Sequence, residues 1–260
     1  MANWNDDRAT QQGFGMSPSQ AGNVADRTTF DAGLRKHMLS IYNYMASGVL
    51  LTGIVAMLFV NSPYFEAAFR VVMTDRGTMI QPTMLGWIIQ LSPLAFMAFW
   101  WFGAKNASKT TLQVMFWGFA AAFGLSLSTI FVIYTGQSVA TAFFATAAAF
   151  AGLSLYGYTT KKDLSGWGSF LIMGAIGLFV AILLNAFLFQ SGMFQLAISV
   201  IGVLIFAGLT AYDTQRLKDQ YQYVRGTEFA GRAVIFGALN LYLDFINMFI
   251  FLLQLLGNRE

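Results

Sequence analysis

The chain has no cysteine. Disulfides, thiolate metal sites and thiol nucleophiles are excluded, and the redox compartment leaves no trace. Histidine occurs once, as His37, where the first apolar run begins. A single imidazole has no partner for metal binding or catalysis, so His37 reads as an interfacial polar residue. Proline is scarce, and the last of the four is Pro93. Charge is scarce as well. Asp, Glu, Lys and Arg make up 10% of 260 residues, against about 25% in a soluble domain. Hydrophobic residues make up 57%, so the chain cannot be solvated on all sides and most of its surface must face lipid. The net charge of +3 is spread over short segments, which argues against nucleic acid as a partner.

Residues 1–37 contain no apolar run and are rich in Asn, Gln, Gly, Ser and Asp. No removable signal peptide is expected there. The segment reads as a polar, disordered tail (1–37) before one membrane domain (38–260).

A bilayer core of about 30 Å takes roughly 20 apolar residues as helix. Seven stretches qualify: 38–60, 84–103, 111–134, 138–157, 167–189, 194–213 and 235–256. Backbone polar groups in lipid must be satisfied within the segment, so these runs are helices. The expected class is an all-α membrane protein with seven transmembrane helices.

Lys and Arg are unevenly divided between the connecting segments. Arg8, Arg27, Arg35, Lys36, Lys105, Lys109, Lys161, Lys162, Arg216, Lys218, Arg225 and Arg232 fall on one side; only Arg70, Arg76 and Arg259 fall on the other. The positive-inside rule then puts the N-terminus in the cytoplasm and the C-terminus outside. Trp87, Trp100, Trp101, Trp167 and Tyr158 lie near span ends, where amphipathic rings settle. Small residues at four-residue spacing predict close helix contacts at Gly118, Ala122 and Ser126, and at Ala147 and Ala151. Pro93 should bend the second span.

The seventh span carries Asn240, Asp244, Asn247 and Gln254 on one helical face, interrupted only by Phe251. An ionised carboxylate at bilayer depth costs several kcal/mol, so this face must be enclosed by other helices. The seventh span is therefore expected to be central. Asp213 closes the sixth span, with Thr210, Phe206 and Ser199 behind it on the same face. Pairing with Arg216 or Lys218 is one reading of Asp213, and a structural hydrogen-bonding role is one reading of Asp244. If the two carboxylates approached to about 5 Å, they would repel by roughly 3 kcal/mol at an effective dielectric of about 20. They would then share one proton and titrate as a pair. The depths conflict, because Asp244 lies well inside its span and Asp213 at the end of its own. The two meet only if the sixth helix sits lower, or the seventh begins nearer Leu239.

Four stretches, Gly124–Tyr134, Ser154–Ser165, Phe206–Lys218 and Gly237–Phe249, resemble the Bax inhibitor (transmembrane Bax-inhibitor-motif) family, in particular its bacterial inner-membrane members. The resemblance covers nearly everything after residue 35. It implies a fold in which the last helix is wrapped by the other six. It also implies a pH-sensitive calcium leak governed by two aspartates, here Asp213 and Asp244, as gate, pH sensor and transient calcium site. Some members add a basic latch near the second helix. That span is uncharged here, leaving Lys105 and Arg216 as the basic candidates. Animal members are tied to suppression of cell death, and one bacterial member to modulation of a membrane protease.

Calcium takes six to eight oxygen ligands. Asp213, Asp244, Asn240 and Asn247 could supply some, and such a loose set suits a transient site. Thr210 joins the expected path lining. No cofactor beyond transient calcium is expected, and no enzymatic activity. An intramembrane aspartyl protease would need Gly-x-Gly-Asp where Tyr242-Leu243-Asp244 stands, and a later proline motif. A rhomboid-type protease lacks an intramembrane His, and a retinal protein lacks a Lys on the last span. The rival reading is a non-conducting membrane protein that restrains a protease or stabilises a complex through the tail 1–37 or the loop 214–234.

Overall fold

The structure, a computed structural model, describes residues 18–74, 77–104 and 107–258, with side chains from Thr29 onward except at positions 73, 74, 77, 78 and 101. It is almost entirely helical. Helix α1 (Pro18–Val60) is followed by a short α2 (Pro63–Ala68) and an antiparallel hairpin of β1 (Phe69–Thr74) and β2 (Gly77–Pro82), paired from Phe69↔Pro82 to Thr74↔Gly77. Then come α3 (Met84–Gly103), α4 (Lys109–Leu127), a single turn α5 (Ile130–Ile133), α6 (Gly136–Thr159) and α7 (Ser165–Leu184). A π-helical turn (Asn185–Phe189) leads on to α8 (Gly192–Val224) and α9 (Ala230–Leu256).

Hydroxyl side chains start several of these helices. Thr83, Ser108, Thr135 and Ser191 accept hydrogen bonds from the backbone N–H of Gly86, Thr111, Ser138 and Phe194, satisfying donors that the first turn leaves open. Pro93 lies inside α3. It cannot donate to the carbonyl of Ile89 four residues back, and the Ser92 hydroxyl does so instead at 2.8 Å.

Among the described residues, six helices are long and apolar enough to cross a membrane: Thr29–Val60, Lys109–Ile133, Gly136–Thr159, Ser165–Phe189, Gly192–Val224 and Ala230–Leu256. The described apolar part of α3, Met84–Trp100, is shorter. Of the seven expected spans, six are long helices and the second is shorter.

Helix α9 is the most enclosed. Its most apolar stretch is 67% buried, against 17–33% in the other five long helices. It packs against α1, α4, α6 and α8, and Trp100 of α3 reaches it edge-on at Phe236. Tyr242, fully buried, fixes α9 to two of these neighbours. The Thr52 hydroxyl donates to the Ala120 carbonyl at 2.9 Å, so its oxygen accepts the Tyr242 hydroxyl at 2.8 Å. Phe116, Phe119 and Phe123 surround the Tyr242 ring edge-to-face, the arrangement that aromatic quadrupoles prefer.

Three expectations need correction. The boundary at residue 37 is not a boundary, because α1 runs through it without a break. Leu34, His37 and Met38 are buried, and Phe30 and His37 lie against Tyr221 of α8 at ring distances of 5.4 and 5.2 Å. Apolar residues at 30, 34 and 38 share one helical face, and that face finds the extension of α8. The rest of the expected tail, residues 1–17, lies outside the described residues. Second, of Ala147 and Ala151 only Ala147 packs against the core, and Ala151 is exposed. The close approach on α6 is made by Gly157, whose Cα hydrogen faces the backbone of Ala211 on α8. The other small-residue face does make a contact, since Gly118 meets Phe96 and the Ser126 hydroxyl donates to Gln90, both on α3. Third, residues 69–82 form a hairpin that hydropathy did not reveal.

Candidate functional site

The depth conflict between the two aspartates disappears in the structure. Helix α8 does not end at Asp213 but continues to Val224, because Thr214–Val224, though too polar for lipid, is good helix-forming sequence. Asp213 lies eleven residues before that end, and Asp244 lies fourteen after the start of α9. At 1.5 Å per residue these are depths of about 16 and 21 Å. Both side chains are buried, Asp244 at 4% exposure and Asp213 at 9%. The two carboxyl groups act on each other across the α8–α9 contact. Oxygen Oδ2 of Asp244 is fully buried with no hydrogen-bond partner among the described residues.

The surroundings are sparse. The Ser154 and Thr214 hydroxyls meet at 3.1 Å, joining α6 to α8 beside the pair. Arg216, exposed, supplies the positive charge that Asp213 feels. Lys218 is turned away, with its ammonium donating to the Tyr158 carbonyl at 2.8 Å above the Tyr158 ring. Lys105 lies outside the described residues. The basic side chain at the end of α3 is instead Arg232 of α9, donating to the Ala104 carbonyl at 3.0 Å. Sequence reasoning had placed Arg232 only in a loop count. No third His, Cys, Asp or Glu joins the pair among the described residues. The two carboxyl groups offer four oxygens, short of a full calcium shell.

The other expected lining residues divide. Thr210 is fully buried, and its hydroxyl bonds back to the Phe206 carbonyl at 2.7 Å. Asn247 likewise donates to the Leu243 carbonyl at 2.8 Å, and Asn240 is half-buried on α9. Each amide or hydroxyl oxygen remains as an acceptor. Gln254 belongs to a second polar cluster, nearer the start of α8. Its Oε1 accepts from Gln195 Nε2 at 2.9 Å and from the Ser199 hydroxyl at 2.7 Å. Asn185, in the π-helical turn, donates to Gln195 Oε1 at 3.0 Å and accepts from the Ser191 N–H. Asn185, Ser191 and Gln195 were missed. The available signal was two carboxamides ten residues apart, at the junction of two otherwise apolar runs.

Replacing Gln254 with Leu removes the acceptor for Gln195 Nε2. The expected cost is about 1–3 kcal/mol, the penalty of stranding a buried donor, read as a lowered unfolding midpoint in detergent. The double replacement Gln195→Leu with Gln254→Leu should recover part of that loss.

A family model described as "Inhibitor of apoptosis-promoting Bax1" matches residues 34–260. An uncharacterised protein of Caulobacter vibrioides is 46% identical over 241 residues, 91% of this chain and 95% of that one. The Rickettsia prowazekii protein RP147 is 42% identical over 89% of this chain and 93% of its own length. The Escherichia coli inner membrane protein YbhL is 42% identical over 88% of this chain and 94% of its own. Matches of this extent, on a fold of long apolar helices, make the chain an integral membrane protein of the Bax inhibitor family.

Proposed function

We propose that the chain is a pH-sensitive cation leak, with calcium as the principal cargo and Asp213 and Asp244 as gate and proton sensor. One observation carries the reading: two buried carboxyl groups on neighbouring helices act on each other, and one of their oxygens has no hydrogen-bond partner among the described residues. Two acids so placed favour sharing one proton. A structural hydrogen bond alone is better served by an amide or a hydroxyl, which needs no shared proton and leaves no buried acceptor open. A passing cation would find charge and acceptors at the pair and at the oxygens of Thr210, Asn240 and Asn247, held loosely enough to leave again. Protons reach the same oxygens, so acidity and conduction act on one site. The reading includes no cofactor and no catalysis.

The same proposal takes α3 as the seventh span, since its 20 residues cover about 30 Å as helix. The last helix then stands inside the other six. The distribution of Lys and Arg supports a cytoplasmic N-terminus and an external C-terminus. The bacterial inner membrane is the proposed location, as for YbhL. Arg216, the cation beside Asp213, is the proposed latch.

The test is calcium flux into liposomes between about pH 5 and 8, a range that brackets shared-carboxyl titration, for wild type, Asp213→Asn and Asp244→Asn. An amide at either position keeps a hydrogen bond but removes the shared proton, so the pH dependence should flatten in both variants. Three identical curves would overturn the gate, and no flux above that of empty liposomes would leave the non-conducting interaction protein as the reading.

A further inference from the structure

Between α7 and α8, with the end of α6 alongside, runs a groove of about 700 Å³ open to the bilayer. Its floor forms where the two helices touch. Gly168 lies under the Tyr212 ring, and Gly208 lies under Leu171. Its walls are apolar and include Phe170, Leu204 and Ala207. At one end the lining changes. Lys162 and Asp163 close the groove beside Tyr212, and Tyr212 also borders a polar recess that contains Arg216 and Asp219. All four charged side chains are exposed. Hydrogen bonds from Ser165 hold the Asp163 carboxylate below the usual range, so it stays ionised at neutral pH.

Other lipid-facing hollows lack an end with both signs of charge: a groove of about 470 Å³ between α1 and α6 has one cation, Arg35, and no carboxylate. The groove of about 430 Å³ between α1 and α6 is lined without a single charged side chain. An acyl chain can lie in any of them. Of these grooves, the α7–α8 groove alone carries both signs at its end, and its two cations and two carboxylates match a headgroup that does the same.

We propose that the α7–α8 groove binds one phospholipid whose headgroup pairs a phosphate with a primary ammonium, as in phosphatidylethanolamine. The acyl chain lies against Leu171, Leu204 and Ala207. The phosphate meets Lys162 and Arg216, and the ammonium donates to Asp163 and Asp219. A primary ammonium has three N–H donors for those carboxylates; a choline headgroup has none. A phosphatidylglycerol headgroup would leave both carboxylates facing uncompensated negative charge. The site shares Arg216 with the proposed latch, but lipid retention is read without any ion flux.

The full chain, reconstituted in nanodiscs with equal amounts of phosphatidylethanolamine, phosphatidylcholine and phosphatidylglycerol, is released into mild detergent and weighed by native mass spectrometry. One phosphatidylethanolamine per chain should be retained in preference to the other two. Lys162→Ala and Arg216→Ala should each lower retention roughly fivefold, as expected for losing one cation near a lipid phosphate. Ala207→Phe, which fills the groove, should abolish retention, and Ala140→Phe in the uncharged groove should not change it. Equal retention of the three lipids, a preference for phosphatidylglycerol, or undiminished retention in a folded Ala207→Phe would each overturn the site. If Ala207→Phe does not fold, the two rim variants decide.

Discussion

Asp213→Leu is expected to destabilise the bundle by about 3–5 kcal/mol, and replacing Asp213 and Asp244 together by Leu to cost far less. The single change leaves Asp244 with both oxygens buried, since Oδ2 already has no partner among the described residues and the other oxygen loses Asp213. A stranded acid is expensive whether charged or neutral. The double change removes both polar groups and leaves an apolar seam between α8 and α9, each Leu keeping the branched outline of Asp with bulkier methyl groups in place of oxygens. Equilibrium unfolding in mixed micelles, followed by tryptophan fluorescence, measures both. If the single variant is no less stable than the double, the two carboxyl groups do not depend on each other.

Gly157→Leu should prevent a native fold. A Cβ at position 157 would fall well inside the Ala211 carbonyl oxygen and only 3.0 Å from the Ala211 Cα. The obstacle is backbone, which cannot swing aside as a side chain can. Overpacking usually costs about 1–3 kcal/mol, and contact between two rigid helices belongs at or above the top of that range. Gly152→Leu, five residues earlier on the same helix with nothing within 4 Å of its Cβ position, should be tolerated. Monodisperse yield after gel filtration separates the two. Gly157→Leu recovered at the yield of Gly152→Leu would show that α6 and α8 are not in contact there. Ala211 lies two residues before Asp213, so the same contact also sets the height of the acid pair.

The burial of Asp244 was legible because Asn240, Asp244, Asn247 and Gln254 follow one another at steps of four, three and seven residues, which puts a carboxylate on a polar face that must be enclosed. The depth of Asp213 was not. Hydropathy reports where lipid ends, and it ends at 213; helical hydrogen bonding continues to Val224 regardless. The same distinction hid the early start of α1, where Phe30, Leu34 and Met38 make too sparse an apolar pattern to register as a span yet suffice to pack on α8. The hairpin 69–82 was invisible for a different reason, since two six-residue strands between spans carry little periodic signal. Gln254 was grouped with Asp244 by helical phase alone. Phase gives direction around a helix, not distance along it, so the partnership with Gln195 and Ser199 could not be foreseen.

Tyr242 and Asp244 stand two residues apart on α9, on nearly opposite sides of it. On the Tyr242 side, the Thr52 hydrogen is committed to the Ala120 carbonyl, so the phenol must be the giver, and neither hydroxyl ionises near neutrality. On the Asp244 side, two acids act on each other across the α8–α9 contact. One flank of α9 thus rests on groups that stay neutral at any physiological acidity, and the other on groups whose charge answers to the protons around them.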